Sequence, residues 1–375
     1  MARPSLSSVI FSIVPTSMGV DWRHAVSNLM KVKAKRTKSS PRPRLGIPSF
    51  FTALVLLASS AAIAVAQNCQ TASDLDDSRR TAITTAGQRY FDLAAKGNTA
   101  SLKQSAIASL ASDFSSTEAI IKDHQPDLAN AQVTVKSLFL LETEGSAPSP
   151  RAEFYCGVFG KNGQTANSAV FSLNNLPPGN YAVLIFDANS PKGRVSFSPI
   201  LQEIGPDWKL ADLYIKCTQV AGHDSDWFSA RAHDYKTKGQ LHNAWFFYLE
   251  ARSLISPLPF MSTAATDKLY DESQGAEPID VPANGKTVDL AAATTAYKIT
   301  AMFPEGVGDD LDLIVKYQTA DATNTNQAYE SNVAVIKALV AKYPELRDAF
   351  AAVVARAVDP GGRDYGTLLA MKDIK

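Results

Sequence analysis

The chain of 375 residues lacks the short motifs that mark several large enzyme classes. It contains no G-x-S-x-G, H-E-x-x-H, G-x-G-x-x-G or C-x-x-C-H sequence. Asn284-Gly285-Lys286-Thr287 ends like a phosphate-binding loop, but Asp280 stands where that motif requires its first glycine, so we interpret it as an Asn-Gly turn. These absences favour a protein without a cofactor and without catalytic activity. Glycoside hydrolysis by a pair of acidic residues stays an open alternative, because a sequence does not reveal the distance between two carboxylates.

Cysteine is scarce as well. The three cysteines, Cys69, Cys156 and Cys217, form no C-x-x-C pair, and none lies at ligand spacing from a histidine, so we expect no metal site. In an oxidising compartment, one disulfide and one free thiol are the simplest outcome. Cys156 and Cys217 lie in strand-like segments and are the preferred pair. A bond from Cys69 to either of them and a fully reduced state are the alternatives.

Three of the five histidines lie close together in the sequence, at His223, His233 and His242. A metal site would need them on one surface. His223 and His242 each begin one of two predicted antiparallel helices, which places them at opposite ends of the pair. We therefore expect solvated or capping roles for these histidines. Asp224 and Asp226 suit the amino terminus of the first helix.

Charge is divided unevenly along the chain. Nine of the 37 Lys and Arg residues precede Gln67, but only Asp21 of the 37 acidic residues does. The remaining body has 28 basic and 36 acidic residues, a net charge of about −8. A negative body argues against nucleic acid as the main partner, because phosphate groups require a positive surface.

The amino-terminal segment has the three parts of a secretory signal peptide. Seven basic residues lie in 31–44, an apolar run covers 50–63, and an A-x-A site ends at Ala66. An uncleaved anchor is the alternative, but the run of about 14 residues is short of the roughly 20 that a membrane span requires. A start at Met30 would give a conventional signal. We expect cleavage between Ala66 and Gln67 and a soluble, secreted or periplasmic product that leaves the membrane.

From Gln67 onward the pattern changes from helical to strand-like. Helical spacing predicts three helices around 83–94, 102–114 and 117–124, and the third should end before Pro126. Alternating segments then predict six strands, at 133–142, 151–159, 168–173, 181–188, 193–204 and 208–216. Because no helix separates these strands, we expect one bent antiparallel sheet with the helices on its concave face.

This order of elements resembles the NTF2-like cone fold. The likeness rests on helices containing YFDLAAKGN and on a meandering sheet that ends in W-K-L-A, and it covers Gln67 to Lys216. The resemblance implies either a cone-fold isomerase or dehydratase with an acid or a tyrosine in the cone, or a non-catalytic binding domain. For 165–188, LNNLPPGNYAVLIF also resembles a strand turn of carboxypeptidase-regulatory-like domains, which would indicate a small β-sandwich.

The next segment resembles one tetratricopeptide unit. The residues that carry the likeness are Phe228, Ala232, Tyr235, Gly239, Ala244, Tyr248, Ala251 and Pro257. A single unit does not make a repeat array. The four consecutive aromatic residues 245–248 surround one helical turn, which predicts burial on every side. We interpret the pair as a structural clasp rather than as an aromatic peptide groove, and assign this clasp to Phe228, Tyr235, Gly239, Ala244, Trp245 and Tyr248.

The pattern of the carboxy-terminal part predicts a second unit that contains both helices and strands. After a connector with a short helix at 266–273, a hairpin is expected from strands 296–303 and 311–319. Two helices, 326–342 and 344–358, and a last strand over 363–374 complete a ββααβ layer. The chain is therefore predicted to be an α+β protein. Its expected divisions are an extension with the signal peptide, a cone-like domain, the helix pair with its connector, and the carboxy-terminal unit, at 1–66, 67–220, 221–275 and 276–375.

Two functions from different classes follow. The first is an exported, non-catalytic protein that binds an unknown protein or a small apolar ligand. The second is a cone-fold enzyme, of isomerase, dehydratase or hydrolase type, with Tyr155, Asp212 or Tyr214 lining its cavity. An open pocket with a buried carboxylate beside a tyrosine would favour the enzyme. A cavity filled by Phe and Leu side chains would favour the binding protein.

Overall fold

The computed structural model describes residues 67–159, 163–283, 285–293 and 295–375. The predicted signal peptide, its basic segment and Ala66 lie outside the described residues, and so does Asn284 of the predicted turn. The described chain is an α+β protein, as predicted. Among its helices, none is both long and apolar enough to span a membrane.

Four helices form the first layer. They are α1 (Asp77–Ala95), α2 (Thr99–Gln104), α3 (Ala108–Ser112) and α4 (Ser115–Leu128). Helix α1 begins where the Asp76 carboxylate accepts a hydrogen bond from the Arg79 backbone nitrogen, as an N-cap residue does. The predicted stripe of Ile83, Gly87 and Tyr90 is buried. Gly87 permits close contact with the sheet, since a Cβ atom there would lie 2.8 Å from a Leu184 side-chain carbon.

Two predicted helix boundaries in this layer are wrong. The helix expected over 102–114 is interrupted because the backbone of Ser105 and Ile107 bonds to Leu210 of a strand instead of continuing the helix. The two distances are 3.1 Å for Leu210 N to Ser105 O and 2.8 Å for Ile107 N to Leu210 O. The third helix also runs past Pro126. Burial of Leu128 favours this last turn, despite the hydrogen bond that a proline removes.

The six predicted strands exist, but they do not form one sheet. The first sheet has the order β1-β2-β5-β6-β7 and is antiparallel throughout. Its strands are β1 (Gln67–Thr71), β2 (Gln132–Thr143), β5 (Gly179–Ser190), β6 (Gly193–Ile204) and β7 (Asp207–Cys217). The other two predicted strands form a separate sheet with a short strand from the connector. That sheet contains β3 (Ser149–Cys156), β4 (Ala169–Leu176) and β10 (Met261–Ser262).

The disulfide joins Cys69 of β1 to Cys156 of β3, and Cys217 has a free thiol. The preferred pairing of Cys156 with Cys217 is therefore wrong, and one of the alternatives holds. Strand order gives the reason. Cys69 lies at one edge of the five-stranded sheet, in contact with β3, whereas Cys217 ends the strand at the opposite edge.

The helix pair consists of α5 (Ser225–Thr237) and α6 (Leu241–Ile255), preceded by the short strands β8 (Gln219–Val220) and β9 (His223–Asp224). Gly239 makes the turn between the helices with a φ of 77°, which favours glycine. Residues 245–248 are all buried. Phe247 packs against Phe228 and Tyr235 of α5, and also against Phe350 beyond the pair.

The last sheet has the order β11-β12-β13-β14-β15. Its strands are β11 (Val288–Ala292), β12 (Thr295–Val307), β13 (Asp310–Gln318), β14 (Ala352–Val358) and β15 (Asp364–Ala370), accompanied by α7 (Ala264–Gln274) and α8 (Thr325–Lys342). The helix predicted over 344–358 is wrong. A short 3-10 helix covers Pro344–Asp348, and β14 follows, parallel to β13. Val353, Ala355 and Ala357 are buried at alternate positions, which is the period of a strand.

The expected ββααβ layer is thus a five-stranded sheet with one long helix crossing over it. The helix pair shares one hydrophobic core with this sheet. A second core fills the space between α1–α4 and the first sheet, and a third lies between the first sheet and the three-stranded sheet.

Candidate functional site

The helix-covered face of the first sheet is filled with side chains. In β5, Ala182, Leu184 and Phe186 point to the helices, and the intervening Val183 and Ile185 point away, as strand geometry requires. The core between sheet and helices contains large side chains from every layer. They include Ile83, Tyr90, Phe91, Leu102, Ile121, Leu138, Leu140, Phe197, Leu201, Trp208, Leu210 and Leu213.

Tyr90 lies in this core, and its hydroxyl is held by several hydrogen bonds. It accepts a hydrogen bond from the Leu210 backbone nitrogen at 3.1 Å. It also lies 3.0 Å from the carbonyl oxygens of Ser105 and Trp208. Burial raises the pKa of this hydroxyl. Tyr90 therefore connects α1 to β7 and to the segment that follows α2. These contacts stabilise the fold.

The three candidate catalytic residues lie away from this core. Asp212 and Tyr214 are brought together on β7, where the tyrosine packs against Phe260 on the side of the three-stranded sheet. Burial raises the pKa of Asp212, although the hydrogen bonds from Tyr214 and from the Leu213 backbone oppose that rise. Burial also raises the pKa of Tyr214, and the nearby Asp212 carboxylate adds to it.

Tyr155 is separate from that pair. It lies on β3, and its hydroxyl donates to Glu153 at 2.9 Å. Burial and the Glu153 carboxylate raise the pKa of this hydroxyl. The sequence analysis named Tyr155, Asp212 and Tyr214 as residues lining a cone cavity; the structure brings Asp212 and Tyr214 together and places all three outside the helix-covered core.

A cleft of about 650 Å³ opens on the opposite face of the first sheet. We call it the sheet–helix cleft. Its base is formed by β2, β5, β6 and the end of β7, and its walls by the start of α5, the end of α6 and the connector that carries β10. The residues that line these surfaces include Thr134, Ser137, Phe139, Ile185, Asp187, Asn189, Arg194, Ser196, Lys216, Asp226, Leu254, Pro257, Met261 and Thr263. Tyr155, Asp212 and Tyr214 are outside this lining.

Strand β6 carries two buried serines on the cleft side of the sheet, and Ser196 is part of the cleft lining. Ser196 and Ser198 are buried, with their hydroxyl oxygens 3.2 Å apart. They alternate with Val195 and Phe197, which point into the helix-covered core. Buried hydroxyl groups require hydrogen-bond partners, and these two serve as partners for each other.

Charged groups of both signs surround the cleft. Lys136 lies 3.7 Å from Asp187, and Arg194 is exposed at the start of β6. Lys216 donates to the carbonyl oxygens of Ser253 and Ser256 at the carboxy-terminal end of α6, at 3.0 and 2.9 Å. Burial lowers the pKa of Lys216. The amine also connects the first sheet to the helix pair.

Glu250 is a buried acid beside that lysine. Burial and the Glu305 carboxylate raise its pKa to about 7, while Lys216 opposes the rise. Glu250 belongs to α6, Glu305 to β12 and Lys216 to β7, so the three elements place their charges at one junction. This junction supplies a group that titrates near neutral pH.

The clustered histidines of the helix pair have separate surroundings. His223 stacks on Trp227 with ring centres 3.6 Å apart. His242 lies between two carboxylates, with Nδ1 2.7 Å from Glu345 and Nε2 2.9 Å from Asp280. A group that spacing in the sequence does not reveal is instead formed by His124, Asp127 and Cys217, whose possible ligand atoms all lie within 4.8 Å of one another.

The fold and the cleft together define an α+β protein with a ligand-sized cavity on the open side of a helix-backed sheet. Comparison of the chain with protein-family models, with curated proteins and with solved structures finds no match.

Proposed function

We propose that the chain is an exported binding protein without catalytic activity, and that its ligand occupies the sheet–helix cleft. The observation that carries the proposal is the contrast between the filled helix-covered core and the open cleft behind it. A volume of about 650 Å³ lies within the roughly 300–1,000 Å³ of small-molecule sites.

The lining points to a ligand with hydrogen-bonding groups. Serine, threonine and asparagine side chains line the base together with Phe139 and Ile185, and the charges at the rim have both signs. Leu254, Pro257 and Met261 supply one apolar wall. This surface suits a small molecule with a polar and an apolar side. The sequence analysis expected a small apolar ligand, and the proposal now adds polar groups to it.

Export supports the same function. The proposed secretory signal precedes the described residues, and the disulfide between Cys69 and Cys156 suits an oxidising compartment. An NTF2-like first layer and a tetratricopeptide-like helix pair stay part of this proposal. Helices on one face of an antiparallel sheet support the first likeness, and two packed helices around a glycine turn support the second.

The test is a fragment screen by ligand-observed NMR on the purified full chain, with fragments that combine an apolar ring with an amide, hydroxyl or amino group. We expect hits that the Thr134→Trp variant no longer binds, because the indole would fill the base of the cleft. At a concentration 100-fold above Kd, a bound fragment should raise the free energy of unfolding by about 2.7 kcal/mol.

Val135→Trp is the matched control. Val135 is exposed on the same strand and lies outside the cleft lining, so this variant should keep every hit. A screen in which no hit depends on Thr134 would contradict the proposal. Hits lost from Asp212→Asn but kept by Thr134→Trp would instead favour the enzyme hypothesis.

A further inference from the structure

A second group of polar side chains lies on the other face of the first sheet, at the end of β7. His124 and Asp127 belong to the last turn of α4, three residues apart, with 3.3 Å between His124 Nδ1 and Asp127 Oδ2. The Cys217 sulfur, one imidazole nitrogen of His124 and one carboxylate oxygen of Asp127 all lie within 4.8 Å of one another. The thiol is free, and the side chain is exposed to solvent.

The fold produces this arrangement from residues far apart in sequence. Ile121 and Leu128 anchor α4 on the sheet, which fixes the turn between them above the end of β7. Ile215 points into the same core, and Cys217 is the next residue of β7 on that face. The neighbouring Lys216 points the opposite way, to α6 and the sheet–helix cleft.

We infer that His124, Asp127 and Cys217 form a binding site for a divalent transition metal, with zinc as the best match. An imidazole, a carboxylate and a thiolate are the three ligand types that proteins use for zinc. Three protein ligands leave the fourth position of a tetrahedral site for water or an added ligand.

The distances agree with zinc coordination. Zinc bonds of about 2.0–2.1 Å to nitrogen and oxygen place two tetrahedral ligands roughly 3.3 Å apart. The separation between His124 Nδ1 and Asp127 Oδ2 is 3.3 Å. A zinc–sulfur bond of about 2.3 Å asks for roughly 3.6 Å from sulfur to the other two atoms. We expect rotation of the exposed Cys217 side chain to bring the sulfur to this distance when the metal binds.

The surrounding charge favours a cation. The Asp127 carboxylate and the more distant Glu305 carboxylate both interact electrostatically with the Cys217 side chain. A thiolate beside these carboxylates is unfavourable unless a positive ion joins them. On metal binding, the thiol releases one proton to solvent and its sulfur forms the metal bond, so the metal keeps its oxidation state.

Cobalt titration of the purified full chain, free of any histidine tag, tests the site. One equivalent of Co²⁺ should produce the near-ultraviolet absorption of a thiolate–cobalt bond, and Zn²⁺ should remove it. Cys217→Ser should abolish the absorption. It should also weaken Zn²⁺ binding by more than the roughly 10- to 100-fold that loss of an outer-shell partner causes.

The controls separate metal binding from folding and from the cleft. His233→Gln alters a histidine outside the cluster and should leave cobalt absorption unchanged, and His124→Gln should weaken Zn²⁺ binding with an unchanged circular dichroism spectrum. Thr134→Trp should keep the metal site. Absence of the cobalt absorption, or its persistence in Cys217→Ser, would overturn the inference.

Discussion

The two faces of the first sheet are built from the same strands but have opposite character. In β5, Phe186 is buried against the helices, whereas its neighbour Asp187 lines the cleft. In β6, Phe197 and Ser196 show the same contrast. Alternation along a strand therefore gives one sheet a closed side that stabilises the fold and an open side that is available to a ligand.

The binding function proposed above therefore uses the face of the sheet that a cone fold would not suggest. A cone-fold enzyme needs space between its helices and its sheet, and Tyr90, Phe186 and Phe197 occupy that space here. On the open side, the three-stranded sheet covers one part of the surface and leaves the cleft beside it. Substitutions on one face of the sheet should show whether stability depends on the closed face and ligand binding on the open face.

The largest expected effect is on the closed face. Phe186→Ala should lower the free energy of unfolding by about 3–5 kcal/mol, because it removes a fully buried ring and leaves a cavity between α1 and the sheet. Urea denaturation followed by circular dichroism measures this change. Fragment binding in the cleft should persist in the molecules that remain folded.

Asp187→Ala is the adjacent control on the open face. Its partner Lys136 is exposed and lies 3.7 Å away, so the lost ion pair should cost about 0–1 kcal/mol. Equal losses of stability in the two variants would show that the faces are not energetically distinct.

The second effect concerns pH and the acid at the junction beside the cleft. The folded-state pKa of Glu250 is about 7, above its ordinary value of 4.5, so the folded protein binds this proton more tightly than the unfolded chain. The resulting stabilisation is fully present below about pH 4.5 and is lost as pH rises through about 7. The shift corresponds to about 3 kcal/mol.

Glu250→Gln should remove that loss. The variant should be more stable than the parent protein at pH 8 by up to about 3 kcal/mol, and the difference should vanish near pH 4. Urea denaturation of both proteins at several pH values measures the difference, and other titrating groups cancel in it. A variant that is less stable at pH 8 would mean that the carboxylate forms a favourable pair with Lys216.

Local patterns in the sequence predicted much of the fold. Alternation identified six strands of the first half, and helical spacing identified α1 and α8. Errors arose where distant segments decided the local structure. The helix break at Ser105 depends on hydrogen bonds to Leu210. Residues 352–358, predicted as helix, form a strand because they pair with β13.

The candidate sites show the same limit. The order of the strands in the sheet decided which cysteines could bond, and no spacing in the sequence reveals that order. Ser196 and Ser198 have the alternation of a solvent-facing strand surface, although both are buried. Asp212 and Tyr214 lie together because residues two apart share one face of a strand. Only the tertiary structure shows which face of the sheet these two side chains occupy.

The smallest expected effect is at that pair. Asp212→Asn should change the free energy of unfolding by less than about 1 kcal/mol at pH 7, because the amide oxygen can still accept a hydrogen bond from Tyr214 or from the Leu213 backbone. Burial raises the pKa of Asp212, so the folded state favours its protonated form, and a neutral replacement avoids the cost of the buried charge at high pH.

The same variant sharpens the comparison of the two faces. Asp212 lies outside the cleft lining, so fragments that Thr134→Trp excludes should bind Asp212→Asn with unchanged Kd in the NMR measurement. Tyr214→Phe is the companion variant, since it removes the hydroxyl that bonds to the carboxylate and keeps the contact with Phe260. If either substitution abolished binding and left stability intact, the functional surface would extend from the cleft to the region beneath the three-stranded sheet.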